Sequence, residues 1–488
     1  MKFLFLFYLI PIITFGQIQI GSDIDGEITE DISGYNISLS NNGSIVAVGA
    51  IWNDGNGIKS GHVRIFQNIS NIWTQIGSDI NGEATDDLSG YSVSLSNDGN
   101  ILAIGAINNN GNGSNSGHIR IYQNSSGVWT QIGSDINGEA SGDLSGYSLS
   151  LSGDGNIVAI GATNNDGNGS NSGHVRIYQN ISNIWTQIGS DINGEAAGDL
   201  CGLNVSLSDN GNFVAIGAPY NDENGADSGH VRIYENSSGI WTQIGSDIDG
   251  EAAGDRSGWY VSLSNNGALV AIGALDNDGN GNNSGHVRVY RNNLGVWVQV
   301  GSDIDGEAAS DQSGLSVSLS DDGNIIAISA SRNDGNGVDT GHVRIYKNIS
   351  NVWTQIGVDI DGEAVGDRFG SNVSLSNDGR IVAIGANRND GNGIDAGHVR
   401  VYDLSAVLSS DEFVYYNLLI YPNPSKYNVT ILLDSNIQFE KVTIYNQLGQ
   451  IVKTSVNKTI NTSELAKGSY YLEVITNKGK ATKTLLIN

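Results

Sequence analysis

All seven histidines of the chain fall 56 residues apart, at His62, His118, His174, His230, His286, His342 and His398. Each follows a glycine and opens the phrase His-Val/Ile-Arg-Ile/Val-Tyr/Phe. An imidazole and a guanidinium two residues apart share one face of an extended strand. Histidine can act as a base or a metal ligand near neutral pH. A zinc site, however, needs three or four ligands converging on one ion. One histidine per repeat keeps the imidazoles apart, so a hydrogen-bonding role at the start of a strand is expected. Each repeated arginine is expected to pair with a repeated aspartate such as Asp143 or Asp199.

Carboxylates form the second repeated set. The phrase Gly-Ser-Asp-Ile-Asp/Asn-Gly-Glu-x-x-x-Asp supplies Asp247, Asp249, Glu251 and Asp255 in one copy, and a later segment adds Asp276, Asn277, Asp278 and Asn280. Hard oxygen ligands at alternate positions, with glycine allowing a sharp turn, suit calcium. Asp, Asn and Gly are equally the residues of turns, and the EF-hand's bidentate glutamate at the twelfth position is missing. Turn formation is the first reading. Calcium ligation by Asp247, Asp249, Glu251, Asp255, Asp276 and Asp278 is the second, and no other cofactor is indicated.

Other chemistry is scarce. The single cysteine, Cys201, stands where other repeats carry Ser and has no identifiable activating partner. Six tryptophans, Trp73 to Trp353, keep the 56-residue spacing and read as packing at the edge of each repeat, or else as sugar-stacking platforms. Catalysis needs unlike groups with distinct pKa values, placed once. The non-repeating Trp52, Tyr220, Arg256, Trp259 and Arg291 form no recognisable acid–base or nucleophile set, so a binding protein is expected and an enzyme is not.

The elements that position these residues are strands. In the third copy, Gly146 to Ser152, Asn156 to Ala162, Gly173 to Gln179 and Ile184 to Ile192 are apolar or alternating runs bounded by Asn, Asp and Gly. Asp-Gly between the first two is hairpin chemistry. Four antiparallel strands repeated about every 40 to 50 residues suit a propeller blade. The last repeat stops after its third strand, at Asp403, and the missing fourth lies at Gln17 to Ile24. Such a swap closes a ring and removes a free edge. The expected fold is therefore all-β: a closed seven-bladed β-propeller over 17–403, then a small Ig-like sandwich. Loops leaving the second and fourth strands share one face, so both acidic loops emerge together.

The unit resembles the FG-GAP repeat of bacterial surface proteins and integrin α-subunit propellers: Phe369-Gly370 keeps one half of that name and Gly217-Ala218-Pro219 the other. It departs from the integrin calcium pattern, whose acidic loop joins the first and second strands. After a linker at 404–415, residues 416–488 resemble the type A sorting domain of the type IX secretion system, through Tyr421-Pro422-Asn423-Pro424, the Tyr445-to-Gln450 turn and the Gly468-to-Val474 strand. That resemblance implies passage across the outer membrane, contact with the secretion machinery and removal of the tail.

The ends and the charge agree with export. Lys2, the apolar run Phe3 to Phe15 and small residues before Gln17 read as a signal peptide over 1–16. That run is too short for a comfortable membrane span, and no other long apolar run exists. The net charge is −28; the tail carries +4 and Lys2 one more, leaving −33 on the repeats. Such a body repels phosphate backbones, which excludes nucleic acid as a natural partner. A monomeric, secreted or surface-held adhesion scaffold with a protein or glycan partner is expected. A multivalent carbohydrate-binding propeller is the alternative, and a polysaccharide-degrading enzyme is third.

Overall fold

The computed structural model describes residues 16–408, 418–433, 437–447, 449–476 and 479–487. Residues 1–15 of the expected signal and 409–415 of the linker lie outside the described residues. The chain divides into two compact units, Gln17–Leu404 and one holding Ser405–Asn488.

The first unit is seven antiparallel sheets, one per repeat. In blade 3 the strands are Ser145–Leu151, Ile157–Ala162, His174–Ile181 and an outer strand in two pieces, Ile184–Gln187 and Ile192–Asn193. The expected single run from Ile184 to Ile192 is thus broken. Gly189 has φ +79°, and a Cβ there would come within 2.8 Å of Trp241 of the next blade. The second strand is apolar on both faces because it is covered by a blade on each side. Val158 on one face and Ala159 on the other are both 0% exposed.

Blades meet through glycine. Gly217 lies on the second strand of blade 4, and a Cβ there would stand 2.0 Å from the carbonyl oxygen of Gly258, on the first strand of blade 5. Gly258 has φ +90°, a left-handed conformation open to glycine. The two halves of the FG-GAP phrase are therefore opposite sides of one seam, where only a missing side chain lets two backbones touch.

The ring is closed. Ile18–Gln19 and Ile24–Asp25 pair with His398–Asp403 and complete blade 7, with Ile18 opposite Asp403 and Ile24 opposite Val399. Asp23 clamps Arg400 from that N-terminal segment, through Oδ1 to Nε at 3.0 Å and Oδ2 to a terminal nitrogen at 2.9 Å. Around the axis, backbone N–H groups of Asn41, Asn97, Gly153, Asp209, Asn265, Asp321 and Asn377 each donate to the next residue of that series. The seventh bond, Asn377 to Asn41 at 2.9 Å, joins the last blade to the first.

The second unit is a sandwich. Leu418–Tyr421, Asn428–Leu433 and Thr459–Asn461 form one sheet, and Phe439–Tyr445, Ile451–Ser455, Gly468–Thr476 and Gly479–Ile487 the other. Val429, Ile431, Val442, Ile444, Leu472 and Leu485 from both sheets fill its core.

Candidate functional site

The repeated polar residues are mostly occupied in joining blades. Each histidine is at most 1% exposed at the start of its third strand. The expected hydrogen bond is absent at Nε2 in six of the seven. Nδ1 instead faces carboxylates: in blade 2, His118 stands 3.8 Å from Glu83 and 3.8 Å from Asp135. The arginine pairing also differs from expectation. Arg176 pairs with Glu139 at 3.7 Å and donates to the carbonyl of Asn137, on the preceding blade, at 2.8 Å. Asp143 is buried and accepts from the Ala140 N–H at 2.9 Å and from Asn165 Nδ2 at 3.1 Å. A buried carboxylate with neutral donors organises its loop, and the half-exposed glutamate is the one left for the guanidinium. Arg232 likewise pairs with Glu195, and Asp199 repeats the role of Asp143.

The six calcium candidates fall into different settings. Asp255 accepts from Ala252 N–H and Asn277 Nδ2, both at 3.0 Å. Asp276 is held by Arg256 at 2.8 Å and Gln312 at 2.9 Å. Asp278 accepts the Asn283 N–H at 2.7 Å, and Glu251 faces Arg288 at 3.4 Å. Asp247 and Asp249 differ. Asp247 Oδ2 stands 3.4 Å from His230 Nδ1. Asp249 Oδ1 is buried with no hydrogen-bond partner. Burial pushes the Asp249 carboxyl up, helped by the charges of Glu223 and Asp247.

The repeated tryptophans are seam residues. Trp185 donates its indole N–H to the Ile132 carbonyl of the preceding blade at 3.0 Å, and five equivalents do the same.

Where the repeat loses its symmetry, a cavity opens. The first strands surround the axis and line a space of about 400 Å³, within the range of small-molecule sites. One position of the repeat, at the loop-face end of that strand, reads Tyr35, Tyr91, Tyr147, Leu203, Trp259, Leu315 and Ser371 around the ring, and all seven line the cavity. The three tyrosine rings follow one another with centroids 5.1 and 5.0 Å apart. Burial pushes the Tyr35 hydroxyl pKa up to about 12 and raises that of Tyr91 as well. Tyr260, Asn36, Asn204 and Asn372 lie deeper, and Arg368, Ser331 and Asn387 close the side formed by blades 6 and 7. Burial, then the nearby cations Arg388 and Arg332, lowers the Arg368 pKa. The other end of the channel carries the hydrogen-bonded ring at Asn41 to Asn377, where Asn97 Nδ2 also reaches Asp209 at 2.6 Å.

Of the five non-repeating residues singled out in the sequence, one, Trp259, lines this cavity. Arg256 lies over the Tyr220 ring at 4.9 Å and Lys59 over Trp52 at 4.1 Å. Arg291 instead sits at the outer half of its third strand, opposite Leu269. The tyrosine arc and Arg368 were missed. Their signal is the residue type varying at one fixed position of the repeat.

Family models agree with this architecture. Residues 81–122 and 358–402 match the FG-GAP repeat, and residues 419–488 match a secretion system C-terminal sorting domain. No curated protein matches the chain. Among solved structures it is similar to a candidate 6-phosphogluconolactonase of Bacteroides uniformis, at 13% identity and TM-score 0.48, over 68% of this chain and 86% of that one. It is also similar to a periplasmic gluconolactonase of Pseudomonas aeruginosa, at 14% identity and TM-score 0.47, over 68% and 85%. The chain carries FG-GAP repeats in a β-propeller and a sorting domain that directs export by type IX secretion to the cell surface or beyond. No helix among the described residues is long and apolar enough to cross a membrane.

Proposed function

We propose that this exported propeller is a surface or released binding protein that captures an acidic carbohydrate in its axial cavity. The supporting observation is where the repeat breaks its own symmetry. Seam residues are held nearly constant from blade to blade, whereas the cavity mouth carries aromatics on blades 1, 2, 3 and 5 and Arg368 at the start of blade 7, beside blade 1. Aromatic faces stack on the apolar side of a sugar ring, and the ring hydroxyls find amide and hydroxyl partners. In a chain of net charge −28, arginines gathered at one rim favour a carboxylate or sulfate, which a guanidinium grips in bidentate fashion.

The lining favours binding over hydrolysis. It contains no Asp, Glu or His among the described residues, whereas glycoside hydrolysis ordinarily uses two carboxyl groups. At the repeated tryptophans each indole N–H is already bound across a seam, so a sugar there would have only the half-buried ring face to stack on. An array of neutral, uronic acid-containing and sulfated glycans tests the proposal, with Arg368→Ala and Trp259→Ala as paired variants. Binding to acidic glycans that both variants weaken at least tenfold is the expected result. Binding to protein partners alone, or acidic-glycan binding indifferent to both variants, would sink it in favour of protein adhesion.

A further inference from the structure

One of the seven histidine clusters differs from the rest. In blade 4, the loop before the third strand carries Glu223 where the other six copies have Gly55, Gly111, Gly167, Gly279, Gly335 and Gly391. Glu223, Glu195, His230 and Asp247 each offer one ligand atom, and the four atoms lie within 4.8 Å of one another. His230 is wholly buried, and neither ring nitrogen has a hydrogen-bond partner within the protein. Its Nδ1 points at two carboxylates, 3.4 Å from Asp247 Oδ2 and 3.8 Å from Glu195 Oε2. In blades 2, 3, 6 and 7 the matching histidine–aspartate distances are 3.8, 4.0, 3.7 and 3.7 Å. Donors bound tetrahedrally at 2.0 to 2.2 Å stand about 3.4 Å apart, so the His230–Asp247 pair already has the spacing of two ligands.

The charge and the surroundings point the same way. Arg232 is the one cation paired with this group, 3.3 Å from Glu195 Oε1, against three carboxylates. With the imidazole neutral, the four groups and Arg232 together carry −2, which a divalent cation would balance. Asp249 Oδ1, buried and unpartnered, adds a fourth carboxylate beside Glu223. Gln243 Nε2 donates to Asp247 Oδ1 and orients it, as second-layer donors do around metals. Glu195 and Glu223 are exposed, which leaves an entry path.

The geometry points to a single divalent metal site at the entrance to blade 4, with Glu195, Glu223, His230 and Asp247 as its ligands. One imidazole among carboxylates favours a first-row transition ion of the zinc class over calcium, which takes oxygen donors throughout. The ion would tie the loop entering blade 4 to that blade's second, third and outer strands.

The test uses the full chain, stripped by chelator and titrated with Zn²⁺ at high constant salt, with bound metal counted by elemental analysis. One tight equivalent is expected, unaffected by millimolar Ca²⁺. Glu223→Gly restores what six other blades carry, so it should fold with an unchanged melting temperature in chelator. It should weaken Zn²⁺ by at least the 10- to 100-fold that loss of even a supporting group costs. Asp247→Asn provides a second reading. No retained zinc, seven equivalents indifferent to Glu223→Gly, or displacement by equimolar Ca²⁺ would each overturn the assignment.

Discussion

Acid is expected to destabilise the propeller well above the pH at which carboxylates titrate, because its histidines are buried neutral. At His174, burial and then the Arg176 guanidinium bring the pKa down from 6.5 to about 4, against the opposing pull of Asp191 and Asp143. Glu139 lies 3.9 Å from the same Nδ1. An unfolded histidine titrates near 6.5. The folded pKa is the lower of the two, so the unfolded chain binds more protons between them. Stability is therefore complete above about pH 7 and is lost as pH falls from 6.5 to 4. A shift of about 2.5 units is worth about 3 kcal/mol per histidine, of which about 2 is lost by pH 5. His62 is lowered to the same value. These two alone remove about 4 kcal/mol at pH 5, against a total stability of about 5–15 kcal/mol for an ordinary domain. Urea unfolding followed by tryptophan fluorescence at pH 7.5, 6.5, 5.5 and 5.0 reads this out. All eight tryptophans lie between Trp52 and Trp353, so the signal reports the propeller alone. His174→Gln cannot take the proton, so it should reduce the loss between pH 7.5 and 5.0 by about 2 kcal/mol. A flat stability profile over that interval, or an identical loss in His174→Gln, would refute the reasoning. It would mean that Glu139 and Asp191 stabilise the imidazolium as fast as burial opposes it.

Four further outcomes are expected. Removing residues 17–25 takes away both outer pieces of blade 7 and the Asp23–Arg400 clamp, so the melting temperature should fall and the exposed edge should promote association; an unchanged monomer would contradict the closure. Gly161→Ala puts a methyl 2.0 Å from the Gly202 carbonyl oxygen and should cost about 1–3 kcal/mol in denaturant unfolding, the usual range for overpacking. Asp276→Asn loses the Arg256 pair and should destabilise equally in millimolar calcium and in chelator, whereas a calcium-dependent cost would restore Asp276 as a ligand. Intact mass of the exported protein should correspond to a chain starting near Gln17 and lacking most of 416–488; retention of the tail would count against its removal on export.

What the sequence discloses is what the fold repeats. The 56-residue period encodes one blade, and the missing fourth strand after Asp403 implies the pairing with Ile18–Gln19 and Ile24–Asp25. Alternation along Gly146 to Ser152 finds the first strand because one side of it faces the axis and the other the sheet core. The split outer strand was not legible, since Gly-Ser-Asp reads as turn chemistry only once the neighbouring blade's Trp241 is known to press on it. The choice of Glu139 over Asp143 as the arginine's partner was equally hidden. Spacing shows that both are near, but only burial shows which carboxylate is already satisfied by neutral donors.

The functional residues were hard to read for the opposite reason. In a repeat protein, conformity reports packing, so the residues that recur seven times are those the seams require, and here they include every conspicuous chemical group: His, Arg, Trp and most of the acids. Information about a ligand can enter only where one copy departs from the others. Tyr35, Tyr91 and Tyr147 do this at one position, by being aromatic where Leu203, Leu315 and Ser371 are not. Glu223 does it at another, by being a carboxylate where six blades have glycine. Neither departure carries meaning along the chain. The first acquires it when seven strands bring their ends to one axis, and the second when a loop brings Glu223 beside a buried imidazole already facing two carboxylates.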